Sequence, residues 1–275
     1  MFGSVWKAFG NHRRKVADGR EGLGGWWAAV HRGFASGSRD VADAAIESAP
    51  MSAPDFETLL QPIIELASGE VAGFEVLNRV KGESTREYLS KGPLALSLSL
   101  ERSMIETINS AETLLPEGVW LSFNVSGRFI RATSDVLDLP VGRNREIYME
   151  ISGDSIGGRE ELQSVLEELG RRVPEGCQIA VDSSVPNPDT IRVFGTAVAG
   201  MVKVAPSWVK GIAGNPVHLG LLESAVRIAA ANGVKVVAEG IERTEDLEAL
   251  KIIGVSYGQG FLLGRPVRVD LESGE

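Results

Sequence analysis

The sequence predicts an α/β chain folded as a (β/α)8, TIM-barrel-like domain, preceded by a short basic, tryptophan-rich extension. Three observations carry this. From Phe56 onward, short apolar runs with strand character alternate about eight times with stretches of helical periodicity. Most of those runs close on a polar or charged residue, the place where parallel α/β folds build their mouth. Neither a GxGxxG turn nor a GKS/T loop is present, which removes the dinucleotide and P-loop readings of an open sheet.

Composition sets the outer bounds. The 275 residues, 43% hydrophobic and 24% charged, suit one large globular domain or a domain with an appendage. A net charge of −9 argues against a nucleic-acid polymer as partner, though not against an anionic ligand in a local basic or metal-lined pocket. The single cysteine, Cys177, forbids an internal disulfide and agrees with a reducing, cytoplasmic setting. With only three histidines beside it, a zinc site is not expected. No apolar run approaches the ~20 residues of a membrane span.

Residues 1–54 read as extension and linker, 55–268 as the barrel and 269–275 as a tail. Up to Phe34 the extension carries Lys7, Arg13, Arg14, Lys15, Arg20 and Arg32 against Asp18 and Glu21, with Trp6, Trp26 and Trp27. Phe2, Val5, Trp6 and Phe9 share one face of a helix just before the basic cluster. Such a helix would lie on an anionic membrane surface, peripheral at its inner face, or dock on a protein partner. The plainer alternative is a frayed terminus packed loosely on the barrel. Lys7, Asn11 and Arg13 break the apolar core that a secretory signal needs. Residues 35–54 read as a linker with one helical turn at 41–47.

The barrel elements follow in order. Residues 59–66 form a strand interrupted by Pro62, hence expected at an edge or irregular. Ser68-Gly69-Glu70 is a hairpin turn into a strand over 71–79. Residues 94–115 are helical, 120–126 and 147–152 are strands, and 163–173 is a helix. Strands at 178–182 and 201–204 precede an amphipathic helix over 219–232, closed by Gly233. The last unit, residues 235–266, organises the rest. Val236-Val237-Ala238 is a buried strand ending on Glu239. Thr244 is the expected N-cap of a helix with acids in its first turn, Leu247, Leu250 and Ile253 share its face, and Gly254 stops it. A short strand then runs into Gln259-Gly260-Phe261.

Aligned by strand ends, Glu75, Asn124, Glu150, Asp182, Lys203, Glu239 and Gln259 form a constellation of four carboxylates, two amides and one cation. Each alone is as readily a solvated strand end or a satisfied hydrogen bonder. Several acids at one mouth, however, repel unless cations neutralise them. Hard oxygen donors suit Mg²⁺ or Mn²⁺, and such a mouth supports metal-assisted hydrolysis of a phosphate ester.

The motifs at these positions resemble the EAL domain family, barrels that bind and hydrolyse the bacterial second messenger cyclic di-GMP. Gln61-Pro62-Ile63 is similar to the family's QPI, and Glu75-Val76-Leu77-Asn78-Arg79 to its EALxR. Asn124-Val125-Ser126 resembles NxS, Glu150-Ile151-Ser152-Gly153 ExTE, Asp182-Ser183-Ser184 the start of DDFGTG, and Lys203-Val204-Ala205 KID. Ala238-Glu239-Gly240-Ile241-Glu242 and Gln259-Gly260-Phe261 resemble AEGVE and QGY closely. The resemblance covers residues 55–267 and implies Glu75, Asn124, Glu150 and Asp182 as metal ligands. It implies Lys203 and Glu239 at the water and phosphate, Glu239 as general base. It implies Gln61, Glu75, Leu77, Arg79, Asn124, Gln259 and Pro266 around the ligand, and Mg²⁺ or Mn²⁺ as cofactor.

The departures fall on the metal side. Ser183 replaces the second aspartate of DD, a neutral hydroxyl in place of a carboxylate on a hard dication. Gly153 replaces the second glutamate of ExTE, and Ala205 the aspartate of KID. In the loop after Asp182, Val185 and Asn187 stand where the family has glycines, with Pro186 and Pro188 on either side of Asn187. Between Arg79 and Leu94 the family's PxxFIxxAE pattern is missing. Asp189 is the nearest substitute acid. The second metal site is therefore expected to be lost, leaving Glu239 and Lys203 vestigial as catalysts. Three readings stand: a degenerate cyclic di-GMP receptor with little or no turnover, an active phosphodiesterase giving the linear dinucleotide, and a ligand-independent interaction module. Neither a cyclase-like segment nor a sensor domain is expected ahead of the barrel, so signals would arrive through the ligand, the extension, a partner or a second copy in a homodimer.

Overall fold

Strands that are apolar on both faces need cover on both, and a sheet closed into a barrel supplies it on the inner face. The structure, a computed structural model, describes residues 55–85, 94–112, 117–126, 145–152, 176–183 and 199–268, with Tyr88, Leu115, Phe129 and Val173. The extension 1–54, most of the helix expected over 163–173, residues 184–198 with most of the loop expected after Asp182, and the tail 269–275 lie outside the described residues.

The strands are β1 (Phe56–Glu65), β2 (Val71–Val80), β3 (Glu83–Ser84), β4 (Trp120–Val125), β5 (Ile147–Ser152), β6 (Cys177–Ser183), β7 (Ala199–Val204), β8 (Lys235–Ala238), β9 (Tyr257–Gly258) and β10 (Val267–Arg268). Because β1 pairs with both β2 and β9, eight of the ten strands close into a ring, with β3 and β10 added beside β2 and β1. All ring pairings are parallel except the two that β1 makes. The barrel is therefore a (β/α)8-type barrel with its first strand reversed. A tight turn makes the reversal: Gly69, at φ 75°, donates its N–H to the Glu65 carbonyl at 2.8 Å, and Glu65 donates to the Glu70 carbonyl at 2.9 Å.

The expectation that Pro62 marks an edge strand is corrected. β1 is internal to the ring, and only the irregularity was foreseen. On one side Pro62 faces Phe74 of β2; on the other it falls between the stretches paired with β10 (Leu59, Leu60) and with β9 (Ile64, Glu65), where no ladder bond is asked of it. The register shift between Ile63 and Ile64 takes up the mismatch.

Period-two alternation sorts side chains into two apolar layers. Ile63, Trp120, Tyr148, Ala180, Met201 and Val237 point into the barrel. Phe74, Phe123, Ile147, Met149, Val202 and Val236 alternate with these and face outward, into the larger apolar cluster around the ring. Each fully buried aliphatic side chain contributes roughly 1.5–3 kcal/mol relative to exposure.

The described helices are α1 (Leu94–Glu112), the single turn α2 (Pro206–Val209), α3 (Pro216–Ala231) and α4 (Thr244–Ile252), with a 3-10 turn at Ile212–Gly214. α3 begins earlier than its apolar pattern indicates, because Asn215 accepts the His218 N–H at 3.1 Å and Pro216 occupies the first turn. In α4 the expected Thr244 cap is corrected: Arg243 holds the N-cap position without a side-chain bond, and Thr244 is already helical. Asp246 in that first turn is buried and turned outward from its own helix, accepting N–H bonds from Gly211 (3.0 Å) and Ala213 (3.1 Å). Gly254, at φ 83°, ends the helix as read. Among the described residues, no helix is long and apolar enough to cross a membrane.

Candidate functional site

The strand register carries the predicted polar residues to one end of the barrel. Gln61 lies opposite Glu75, both in mid-strand on β1 and β2 rather than at the strand end expected for Glu75. Asn124 lies opposite Glu150 and Asp182 opposite Lys203, near the C-terminal ends of β4 to β7. Glu75 and Glu150 follow inward-facing positions of β2 and β5, so the alternation that buries Tyr148 also points Glu150 inward.

Lys203 is the centre, with no solvent exposure. Its ammonium lies 2.8 Å from Glu75 Oε2, 3.0 Å from Glu150 Oε2 and 2.8 Å from Glu239 Oε1. Glu75 is held from two further sides, by Asn124 Nδ2 donating to Oε1 at 3.0 Å and Gln259 Nε2 donating to Oε2 at 2.7 Å. Gln259 also donates to Gln61 Oε1 at 3.0 Å, and Gln61 Nε2 donates to the Gly264 carbonyl at 3.1 Å.

Two loops interlock to place Glu239 and Gln259. Glu239 donates its N–H to the Val204 carbonyl at 2.9 Å, Gln259 to Ala238 at 2.8 Å, and Ile241 to Gln259 at 3.0 Å. Gly260 sits so close to Ile241 that a Cβ there would collide with the backbone nitrogen and oxygen of Ile241. Only glycine fits this crossing, which is why the glycine in Gln259-Gly260-Phe261 matters to a residue on the other loop.

This convergence of motifs coincides with a family match. A family model for the EAL domain matches residues 43–266. The chain belongs to the EAL domain family. The match reaches back past residue 55, into the stretch read as linker. A relative, the probable cyclic di-GMP phosphodiesterase PdeG of Escherichia coli, is 25% identical over 237 residues, covering 75% of this chain and 44% of its own length. The chain thus spans less than half of that curated relative. Among solved structures, a manganese and cyclic di-GMP complex of Klebsiella pneumoniae BlrP1 superposes with a TM-score of 0.66 at 22% identity, over 80% of this chain and 57% of that one. A cyclic di-GMP-bound standalone EAL protein from Vibrio cholerae gives 0.59 at 20% identity, over 78% of this chain and 94% of that one. At such identities these structures speak for the fold.

In this EAL domain the mouth holds more negative charge than its one lysine offsets. Burial raises Glu150 to about 8, and the neighbouring Glu75 charge adds to that against the pull of Lys203. Burial likewise raises Glu239 to about 6, opposed by Lys203 and aided by Glu75 and Asp182. Glu75 goes the other way: burial would raise it, but the Lys203 charge and the bonds from Lys203, Gln259 and Asn124 hold it below the usual carboxylate range. Burial would lower Lys203, but the three glutamates hold it well above its ordinary value.

The donor chemistry fits a divalent cation of the magnesium or manganese type: four oxygen-bearing side chains, Glu75, Asn124, Glu150 and Asp182, on four adjacent strands with surplus negative charge. As placed, the glutamates converge on Lys203, and among the described residues no three acidic groups share one ion position. Asp182 is half-buried and acts on Glu239 through its charge. Leu77 and Arg79 follow Glu75 on the same strand face, half-buried and exposed respectively, at the rim. Pro266 is half-buried beyond the Gln259 loop. Ser183 closes β6 beside Asp182, its backbone paired with Val204. Gly153 and Asp189 lie outside the described residues. Ala205 is the N-cap of α2, without a side-chain bond.

Sequence reading missed Glu101. It is buried on α1 and accepts bonds from the backbone N–H and the hydroxyl of Ser126, just past Asn124. A signal was present: Glu101, Met104 and Ile108 lie at helical spacing on one buried face, so a charge interrupts an apolar stripe.

Proposed function

We propose that this EAL domain binds cyclic di-GMP at its mouth and acts as a receptor with little or no hydrolysis. What supports it is the assembly of Glu75, Asn124, Glu150, Glu239 and Gln259 around Lys203, alongside Ser183 in place of an acid. One divalent cation would be held by Glu75, Asn124, Glu150 and Asp182; when bound it supplies positive charge against a phosphate ester and acidifies water. Arg79 at the rim offers the ligand a charge-assisted phosphate contact, worth on the order of 1.5–3 kcal/mol. Leu77 and Pro266 offer apolar rim surface, and Gln61 and Gln259 keep the Glu75 carboxylate aimed. With a folded value of about 6, Glu239 is mostly ionised at neutral pH, as a base must be. Ser183 withholds a carboxylate from a second cation. If that cation contributed a few kcal/mol, its loss slows turnover by several decades, since ~1.4 kcal/mol is tenfold.

One observation favours an active phosphodiesterase instead: the Lys203–Glu239 pair is intact at 2.8 Å. The basic extension would then serve either reading by docking the domain on a partner or an anionic membrane. Calorimetric titration with cyclic di-GMP, with and without Mg²⁺ or Mn²⁺, tests the binding. Saturable uptake is expected. Absence of both heat and thermal shift at high ligand concentration would hand the case to a ligand-independent interaction module.

A further inference from the structure

We propose that Glu101 is a positioning residue for Asn124: from helix α1 it holds the backbone leaving β4, and so sets where the Asn124 amide stands against Glu75. The proposal rests on the cyclic di-GMP reading above. Glu101 is 4% exposed. Its Oε2 accepts the Ser126 N–H at 2.8 Å and its Oε1 accepts the Ser126 hydroxyl at 2.7 Å. That hydroxyl oxygen in turn accepts the Phe129 N–H at 3.1 Å. One carboxylate thus ties the outer helix, the end of β4 and the segment that follows.

Asn124, two residues earlier, is fixed at its other end by donating to Glu75 Oε1 at 3.0 Å, while the residue itself is exposed. The strand end is therefore gripped from the site on one side and from Glu101 on the other. Burying a carboxylate costs desolvation energy that an apolar side chain avoids. What the carboxylate adds is direction. Two oxygens accepting two donors of one residue fix both the distance and the rotation of Ser126. Displacements of ~1 Å already matter for groups that orient a ligand.

The test is a double-mutant cycle on ligand affinity. Cyclic di-GMP is titrated, with Mn²⁺ present, into the full chain as wild type, Glu101→Ala, Asn124→Ala and the double variant. Each single change is expected to weaken binding roughly tenfold, the scale of one lost hydrogen-bonded contact. The double variant should bind no more weakly than Asn124→Ala, because Glu101 acts through Asn124, while the losses in melting temperature still add. A purely structural Glu101 gives unchanged affinity in Glu101→Ala, or affinity losses that add in the double variant; either overturns the proposal. Should Glu101→Ala fail to fold, Glu101→Gln and Ser126→Ala run the same cycle under the same criteria. Wild-type protein that takes up no ligand removes the receptor reading and this proposal with it. Wild-type protein that binds, matched by the Glu101 variants, removes this proposal alone.

Discussion

Lys203 in the mouth and Lys235 at the opposite end of the barrel are both central cations, yet their surroundings differ in kind. Lys203 has no exposure and three glutamates within 3.0 Å. Lys235 keeps a quarter of its side chain exposed, pairs with Glu146 and stands over the rings of Trp120 and Tyr148, 4.8 and 5.0 Å from their centroids. Around it Trp120 packs edge-on to Tyr148 and Tyr257 at 5.9 and 4.7 Å. The floor is an aromatic plug with a cation at its rim, while the mouth is a charge cluster that apolar packing does not require. Stability alone would favour the first arrangement, since replacing buried ion clusters by apolar side chains is often neutral or favourable. The difference is what a ligand site at the mouth, as proposed above, would account for.

The largest contrast is expected on removing each lysine. Lys203→Met leaves the buried Glu75 and Glu150 and the half-buried Glu239 without their cation and should cost about 3–5 kcal/mol, enough to unfold a marginal domain. Lys235→Met removes a half-exposed pair and two ring contacts, and should cost no more than about 1 kcal/mol. Chemical denaturation of both variants checks this; equal losses would mean the two ends are held alike.

Next in size, Arg79→Ala should weaken cyclic di-GMP binding by roughly tenfold or more, as a charge-assisted contact is worth ~1.5–3 kcal/mol, with little effect on melting. Calorimetry and thermal denaturation on the same sample separate the two.

Much of the mouth was legible in the sequence, the aromatic floor was not, and the reasons are physical. β5 was read with its observed bounds, Ile147–Ser152, because an apolar run ending on Glu150 has one plausible register. The ring closure was not, since β1 meets β9 nearly two hundred residues away and no local pattern encodes that pairing. Pro62 looked like an edge for the same reason: its missing donor is accommodated by a gap between two distant strands. The residues that bond to Lys203 and Glu75 had each been singled out, but not that Lys203 would gather three of them, nor that the buried Ser122 would stand beside Glu150. Glu101 and Asp246 were missed because an acid on a helix ordinarily faces water, and both reach instead to loops twenty or more residues away.

The smallest expected effect is in pH, where Glu150 and Glu239 of the mouth should respond with the sign opposite to Glu146 of the floor, while the lowered Glu75 adds to the acid limb with Glu146. Burial would raise Glu146, but the bonds and charge of Lys235 and the Tyr148 hydroxyl hold it lower; its share of stability is present above the unfolded value of 4.5 and is lost as pH falls through the folded one. Glu150 and Glu239 are raised, so their share is fully present below 4.5 and is lost as pH rises through about 6 and then about 8. Melting temperature measured without divalent ions should therefore decline from about pH 4.5 to about 8, more steeply below about 6 where both groups contribute, and Mn²⁺ should flatten that decline. Glu146→Gln should flatten the acid limb and leave the alkaline one as it was.

The claim that the mouth binds without turning over is tested most directly by incubating wild-type protein with cyclic di-GMP and Mn²⁺, then following both the bound ligand and the linear dinucleotide by chromatography. The account predicts ligand retained intact, with product absent or far below that of an EAL domain whose DDFGTG loop is complete. Brisk product formation that disappears in Glu239→Ala would contradict it, and would mean that another group has taken the place of the carboxylate missing at Ser183.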